Sequence, residues 1–157
     1  MKKNLQNSLK RVIQPLSIGL LIAMFLLPNL AIAQDYLIIK NADNLIDAES
    51  EDEKKNIIKP LYLKLRSNWP NNVEAEPFAP EVESEAHKQF VNNVLGMTAK
   101  EVDTHWARLK QTIGAVPPRG ISSESIALRQ VKRKEGAFAV VPAGTELPAG
   151  VDIFLTF

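Results

Sequence analysis

Arg119, which follows Pro117 and Pro118, is the side chain in this sequence best suited to hold an anion. A guanidinium presented by a loop can make two parallel hydrogen bonds to a carboxylate or a phosphate. Glu81, Glu83 and Glu85 surround Ser84, where a helix is due to begin. The free amides of a helix N-terminus attract anions. Carboxylates there oppose them, since two like charges about 4 Å apart repel by roughly 4 kcal/mol at an effective dielectric of 20. These acids therefore read as capping residues that exclude anions, or else as a site for a cation or an amine. His87 and His105 lie 18 residues apart, with no cysteine and no His-x-x-His partner, so no metal site is expected. Ser122, Ser123 and Ser125 precede or open a helix without the Gly-x-Ser-x-Gly elbow of a nucleophilic serine. The carboxylate pairs lie on acidic stretches that lack the apolar surroundings needed to raise a pKa for acid catalysis. The expectation is a protein that is not an enzyme, with no catalytic residue, no metal and no cofactor.

Alternating helices and strands must position these residues. Tyr36-Leu37-Ile38-Ile39 reads as a buried strand. Acids over residues 43–53 followed by Lys54, Lys55 and Lys59 suit a helix dipole, so a helix starts near Ser50, with Pro60 kinking or ending it. Residues 73–78 alternate apolar and acidic, as a half-exposed strand closed by Pro77 and Pro80 does. Residues 83–95 return to helical period and stop at Gly96. Thr98-Ala99-Lys100-Glu101 is a capping box, after which Val102, Trp106, Leu109 and Ile113 form one apolar stripe. His105 is expected to face solvent, and Trp69 and Trp106 to anchor the core. Pro117-Pro118 opens an extended loop, Ser122 or Ser123 caps a further helix, and Lys132-Arg133-Lys134 complements its C-terminal dipole or, second, offers a partner patch. Gly136 ends that helix. Residues 137–141 and 151–157 are the last strands, which makes the class α/β with a small mixed sheet.

The chain opens with Lys2, Lys3, Lys10 and Arg11, then an apolar run over residues 16–27 and Ala31-Ile32-Ala33. These are the parts of a secretory signal peptide, with cleavage expected after Ala33 and residues 34–157 forming one domain. The run is shorter than the roughly 20 residues that span a bilayer, so no stable membrane span is expected after cleavage. Without residues 1–33, 124 of the 157 residues remain, with 15 Lys and Arg against 18 Asp and Glu. That mildly acidic balance excludes an electrostatic footprint for nucleic acid. There is no cysteine, hence no disulfide and no lipid attachment at the junction. The expected destination is the periplasm of a Gram-negative envelope.

Read in order, several stretches resemble the short, stand-alone members of the phosphate ABC transporter substrate-binding proteins. A helix leads into Trp69-Pro70, another ends at Val94-Leu95-Gly96-Met97, and a third carries His105-Trp106. A Pro117-Pro118-Arg119 loop, a serine-capped helix and the glycine-led strand of residues 136–141 follow. The resemblance covers nearly all of residues 34–157. It implies a single-lobe, periplasmic-binding-protein-like, three-layer α/β domain with helices flanking the sheet, acting as an exported, non-enzymatic solute-binding module. Full-length relatives hold their anion between two lobes, and this chain has room for about one. Where they place hydroxyl and glycine residues with an arginine, this sequence keeps only Ser84 among Glu81, Glu83 and Glu85. The family's phosphate contacts are therefore not carried over. Arg119, Ser84 and Ser122 are the candidate ligand contacts, in a crevice at the carboxyl ends of the strands, and the implied partner is a small anion. The alternative is a periplasmic interaction protein that has lost its ligand and docks on another envelope protein.

Overall fold

The computed structural model describes residues 34–46 and 48–157; the expected signal peptide, residues 1–33, lies outside them. In chain order the elements are β1 (Tyr36–Asn41), α1 (Glu51–Tyr62), β2 (Glu76–Pro80), α2 (Glu85–Gln89) with a π-helical turn (Phe90–Val94), and α3 (Ala99–Ile113). They continue with β3 (Arg119–Ile121), α4 (Glu124–Arg133), β4 (Ala137–Pro142) and β5 (Val151–Thr156). The strands form one mixed sheet in the order β3-β2-β4-β1-β5. β1 is antiparallel to both β4 and β5, while β2 runs parallel to β3 and to β4.

All six residues of β1 are buried, because helices cover both faces of the sheet. Its side chains alternate between two cores. Leu37 and Ile39 join Ala137, Ala139 and Val141 against Ala127 and Val131 of α4. Ile38 faces the other way and joins Phe138 and Phe154 against Ile58 and Leu61 of α1, Phe90 and Trp106. Layers of helix, sheet and helix result, the three-layer α/β arrangement expected from the sequence. Between Ile38 and Ile39 the register with β5 slips by one residue, so that Phe154 and Leu155, neighbours in sequence, both enter the same core. A bulge re-aims a side chain in this way.

Local signals act as read. Ser50 caps α1, its hydroxyl accepting from the Glu53 amide at 3.2 Å. Pro60 lies inside α1, which ends two residues later at Tyr62. The capping box is complete: the Thr98 hydroxyl accepts from the Glu101 amide, and the Thr98 amide donates to the Glu101 carboxylate at 2.7 Å. Gly96, at φ 58°, lets the chain turn so that the Met97 amide reaches the Val91 carbonyl at 3.1 Å. Trp69, 1% exposed, meets Phe138 and Phe154 edge to face, each at 5.5 Å between ring centroids.

Four details differ from the sequence reading. The strand expected over residues 73–78 sits at Glu76–Pro80, and Pro77 and Pro80 lie within it. Residues 67–75 instead close a turn in which Trp69 donates to the Val73 carbonyl and Ala75 to that of Ser67. After Pro118 the chain is paired as β3 rather than free, because β2 offers it an edge. The apolar stripe of α3 buries Val102 and Trp106 but leaves Ile113 67% exposed, since the helix outruns the core beneath it. His105 does not face solvent: it is half-buried, with Nε2 at 2.8 Å from the Leu63 carbonyl, an oxygen that can only accept. That bond ties α3 to the end of α1. His105→Ala is expected to lower stability by about 1 kcal/mol, read as a drop in the urea midpoint at unchanged slope.

Candidate functional site

β3, β2 and β4 are parallel, so their carboxyl ends, Ile121, Pro80 and Pro142, finish at one edge of the sheet. A crevice of about 150 Å³ opens there, walled by Glu81 and Ser84 before α2 and by Ser122, Ser123 and Glu124 around the start of α4. The two helices begin differently. Ser84 caps α2, its hydroxyl accepting from the His87 amide at 3.1 Å. Ser123 occupies the cap position of α4 without bonding an amide; its hydroxyl lies 2.9 Å from that of Ser125 instead. The first amides of α4 thus lack a side-chain cap and carry the partial positive charge of the helix dipole. Glu124 accepts from the Thr145 hydroxyl at 3.0 Å, which links α4 to the turn after β4.

The crevice therefore gathers serine hydroxyls, a helix N-terminus and the carboxylates of Glu81 and Glu124. It offers both donors and acceptors, and among the described residues no cation lines it. Of the residues singled out from sequence, Ser84 and Ser122 come together on its wall. Arg119 stands apart at the amino end of β3, exposed and level with Phe78. Ser123 and Glu124 were not singled out as contacts; the signal for them is their position directly between a strand and a helix. His87, half-buried on α2, has its pKa lowered by burial, an effect that the nearby Asp103 carboxylate opposes. Among the described residues no three His, Asp or Glu side chains gather as a metal-binding group, and no helix is long and apolar enough to cross a membrane.

No family profile and no curated protein matches the chain. Among solved structures, an ABC-type phosphate transport receptor from Vibrio cholerae superimposes with a TM-score of 0.55 at 14% identity, over 76% of this chain and 45% of the receptor. A possible phosphate binding protein from Planctomyces limnophilus gives a TM-score of 0.44 at 12% identity, over 70% of this chain and 36% of its own. This chain spans less than half the length of either. The likeness to the receptor is one of fold: a mixed sheet between helices, matched over part of that chain.

Proposed function

We propose that the protein is an exported, non-enzymatic solute-binding module that takes a small oxyanion in the crevice at the carboxyl ends of β2, β3 and β4. The observation that carries this reading is the uncapped N-terminus of α4, which shares that crevice with Ser84 and Ser122. The fold likeness to a phosphate transport receptor supports it. In this proposal residues 1–33 are a signal peptide cleaved after Ala33, and the mature protein works in the periplasm. Glu81 and Glu124 select the ligand's protonation state. A carboxylate only accepts, so the anion must bring a hydroxyl hydrogen to it while its bare oxygens face the amides. Hydrogen phosphate has both, whereas sulfate at neutral pH has no hydrogen to give. Arg119, three residues before Ser122 and outside the crevice, is proposed to attract the anion at a distance and not to touch it.

Thermal unfolding tests this. Phosphate at 100 times its dissociation constant adds about 2.7 kcal/mol to stability and raises Tm, and sulfate does not. Ser122→Ala, at an exposed residue, is expected to reduce that shift without altering the unliganded Tm. A Tm indifferent to phosphate, sulfate and small carboxylates alike defeats the reading. A second reading has its own support. Val82, 69% exposed, and Ile126, 36% exposed, flank the residues that wall the crevice. An apolar rim there suits docking on another envelope protein, and co-purification of one such protein, with no anion effect on Tm, favours it.

A further inference from the structure

The amino ends of β2 and β3 carry a second hollow, away from the crevice just described. At about 340 Å³ it is the larger of the two and falls within the range of small-molecule sites. Its wall combines Leu61 and Tyr62 at the end of α1, Pro77 in β2 and Trp106 of α3, an apolar and aromatic surface. Lys64 and Arg66, both exposed, are its charged lining residues, and no carboxylate joins them. The charge pattern is thus the reverse of that in the crevice, where Glu81 and Glu124 stand without a cation.

The two tryptophans differ in their surroundings. The indole N–H of Trp106 is buried and has no hydrogen-bond partner, while the residue itself is 7% exposed. Trp69, the other tryptophan, donates its N–H to the Gly136 carbonyl at 2.9 Å, as buried indoles normally do. With under 1 Å² of accessible surface, the Trp106 N–H is closed off from the hollow, so Trp106 offers a ligand apolar surface and no donor. The wall around Trp106 is apolar, and the cations nearby attract a negative charge.

We infer that this hollow binds a small amphipathic monocarboxylate, its apolar or aromatic body against Leu61, Pro77 and Trp106 and its carboxylate held by the charges of Lys64 and Arg66. The site is independent of the oxyanion crevice, so either can fail without the other.

The probe is 4-phenylbutyrate, with 4-phenylbutanol as its uncharged counterpart. The chain has two tryptophans, hence two indole N–H signals in a proton–nitrogen NMR spectrum. Millimolar 4-phenylbutyrate is expected to move the Trp106 signal and leave that of Trp69 in place; inorganic phosphate moves neither. Trp106→Phe assigns the signals. Lys64→Gln combined with Arg66→Gln, at exposed positions that leave the fold intact, weakens 4-phenylbutyrate binding roughly tenfold and leaves 4-phenylbutanol binding unchanged. A Trp106 signal unmoved by 4-phenylbutyrate overturns the inference. So does a double variant that binds 4-phenylbutyrate as tightly as the parent, or a movement of both indole signals together.

Discussion

Gly136→Ala is expected to destabilise the protein by about 2–6 kcal/mol. A Cβ at this position would lie 1.7 Å from the Glu74 carbonyl oxygen and 2.8 Å from its carbon. Both are backbone atoms, so no rotamer change relieves the contact; the entry to β2 must move away from β4. Gly136 itself has ordinary negative φ, and the demand on it is for space alone. Moving it disturbs more than one contact, because its carbonyl accepts both the Glu76 amide at 3.0 Å and the Trp69 indole at 2.9 Å. Overpacking costs about 1–3 kcal/mol, and a buried donor left unpaired about as much again. Together these consume much of the 5–15 kcal/mol by which such domains are stable. Gly144→Ala is the control, since nothing lies within 4 Å of a Cβ there, and it is expected to be near neutral. Chemical denaturation followed by circular dichroism reads both variants, and a Gly136→Ala midpoint equal to the parent's refutes the argument.

The sequence announces Gly136 only as a helix stop. Its neighbour across the gap, Glu74, is 62 residues away, and no local pattern records that approach. The same division runs through the rest of the fold. The helix start at Ser50 and the Thr98–Glu101 box were legible because a cap is written within four residues of itself, whereas the cap of α2 was read as the neighbouring glutamates and is Ser84. The two cores were legible in outline, since an unbroken apolar run in a strand demands cover on both faces. Asn41 and Asn44 are residue types that favour turns, yet here they bond to other parts of the chain. The Asn41 amide donates to the Val131 and Lys132 carbonyls at 2.9 and 3.1 Å, closing the C-terminal end of α4. The Asn44 carbonyl accepts from the ammonium of Lys40, which the sequence reading left outside the apolar strand and the structure buries within β1. Ser84 and Ser122 were paired in advance through the family resemblance, and the parallel strands that end at one edge, β3 unread among them, are what bring them together. Arg119, chosen for its charge, falls at the opposite end of a strand too short to have been read as one.

Trp69→Ala is the other change expected to destabilise the protein strongly, and Trp69→Phe separates its causes. The indole is 1% exposed and sits between Phe138 of β4 and Phe154 at the bulge of β5. Truncating a buried aromatic to alanine costs about 3–5 kcal/mol, and the two edge-to-face contacts add about 0.5–1.5 kcal/mol each. Phenylalanine keeps a ring in the same place but gives up the N–H. The Gly136 carbonyl then still holds the Glu76 amide, so no buried acceptor is stranded. The expected cost falls to about 1–3 kcal/mol, made of one net hydrogen bond and a small cavity. Denaturant midpoints of the two variants measure the difference, and equal losses would show that the hydrogen bond, not the packing, secures Trp69. The turn of residues 67–75 is fastened to the sheet through this side chain, and it leads directly into β2. Both hollows border β2, the crevice at Pro80 and the larger hollow at Pro77. A partly loosened Trp69→Phe protein should therefore bind phosphate and 4-phenylbutyrate more weakly together, whereas Ser122→Ala and the Lys64/Arg66 pair each affect one ligand. That contrast distinguishes a support common to two sites from the contacts proper to each.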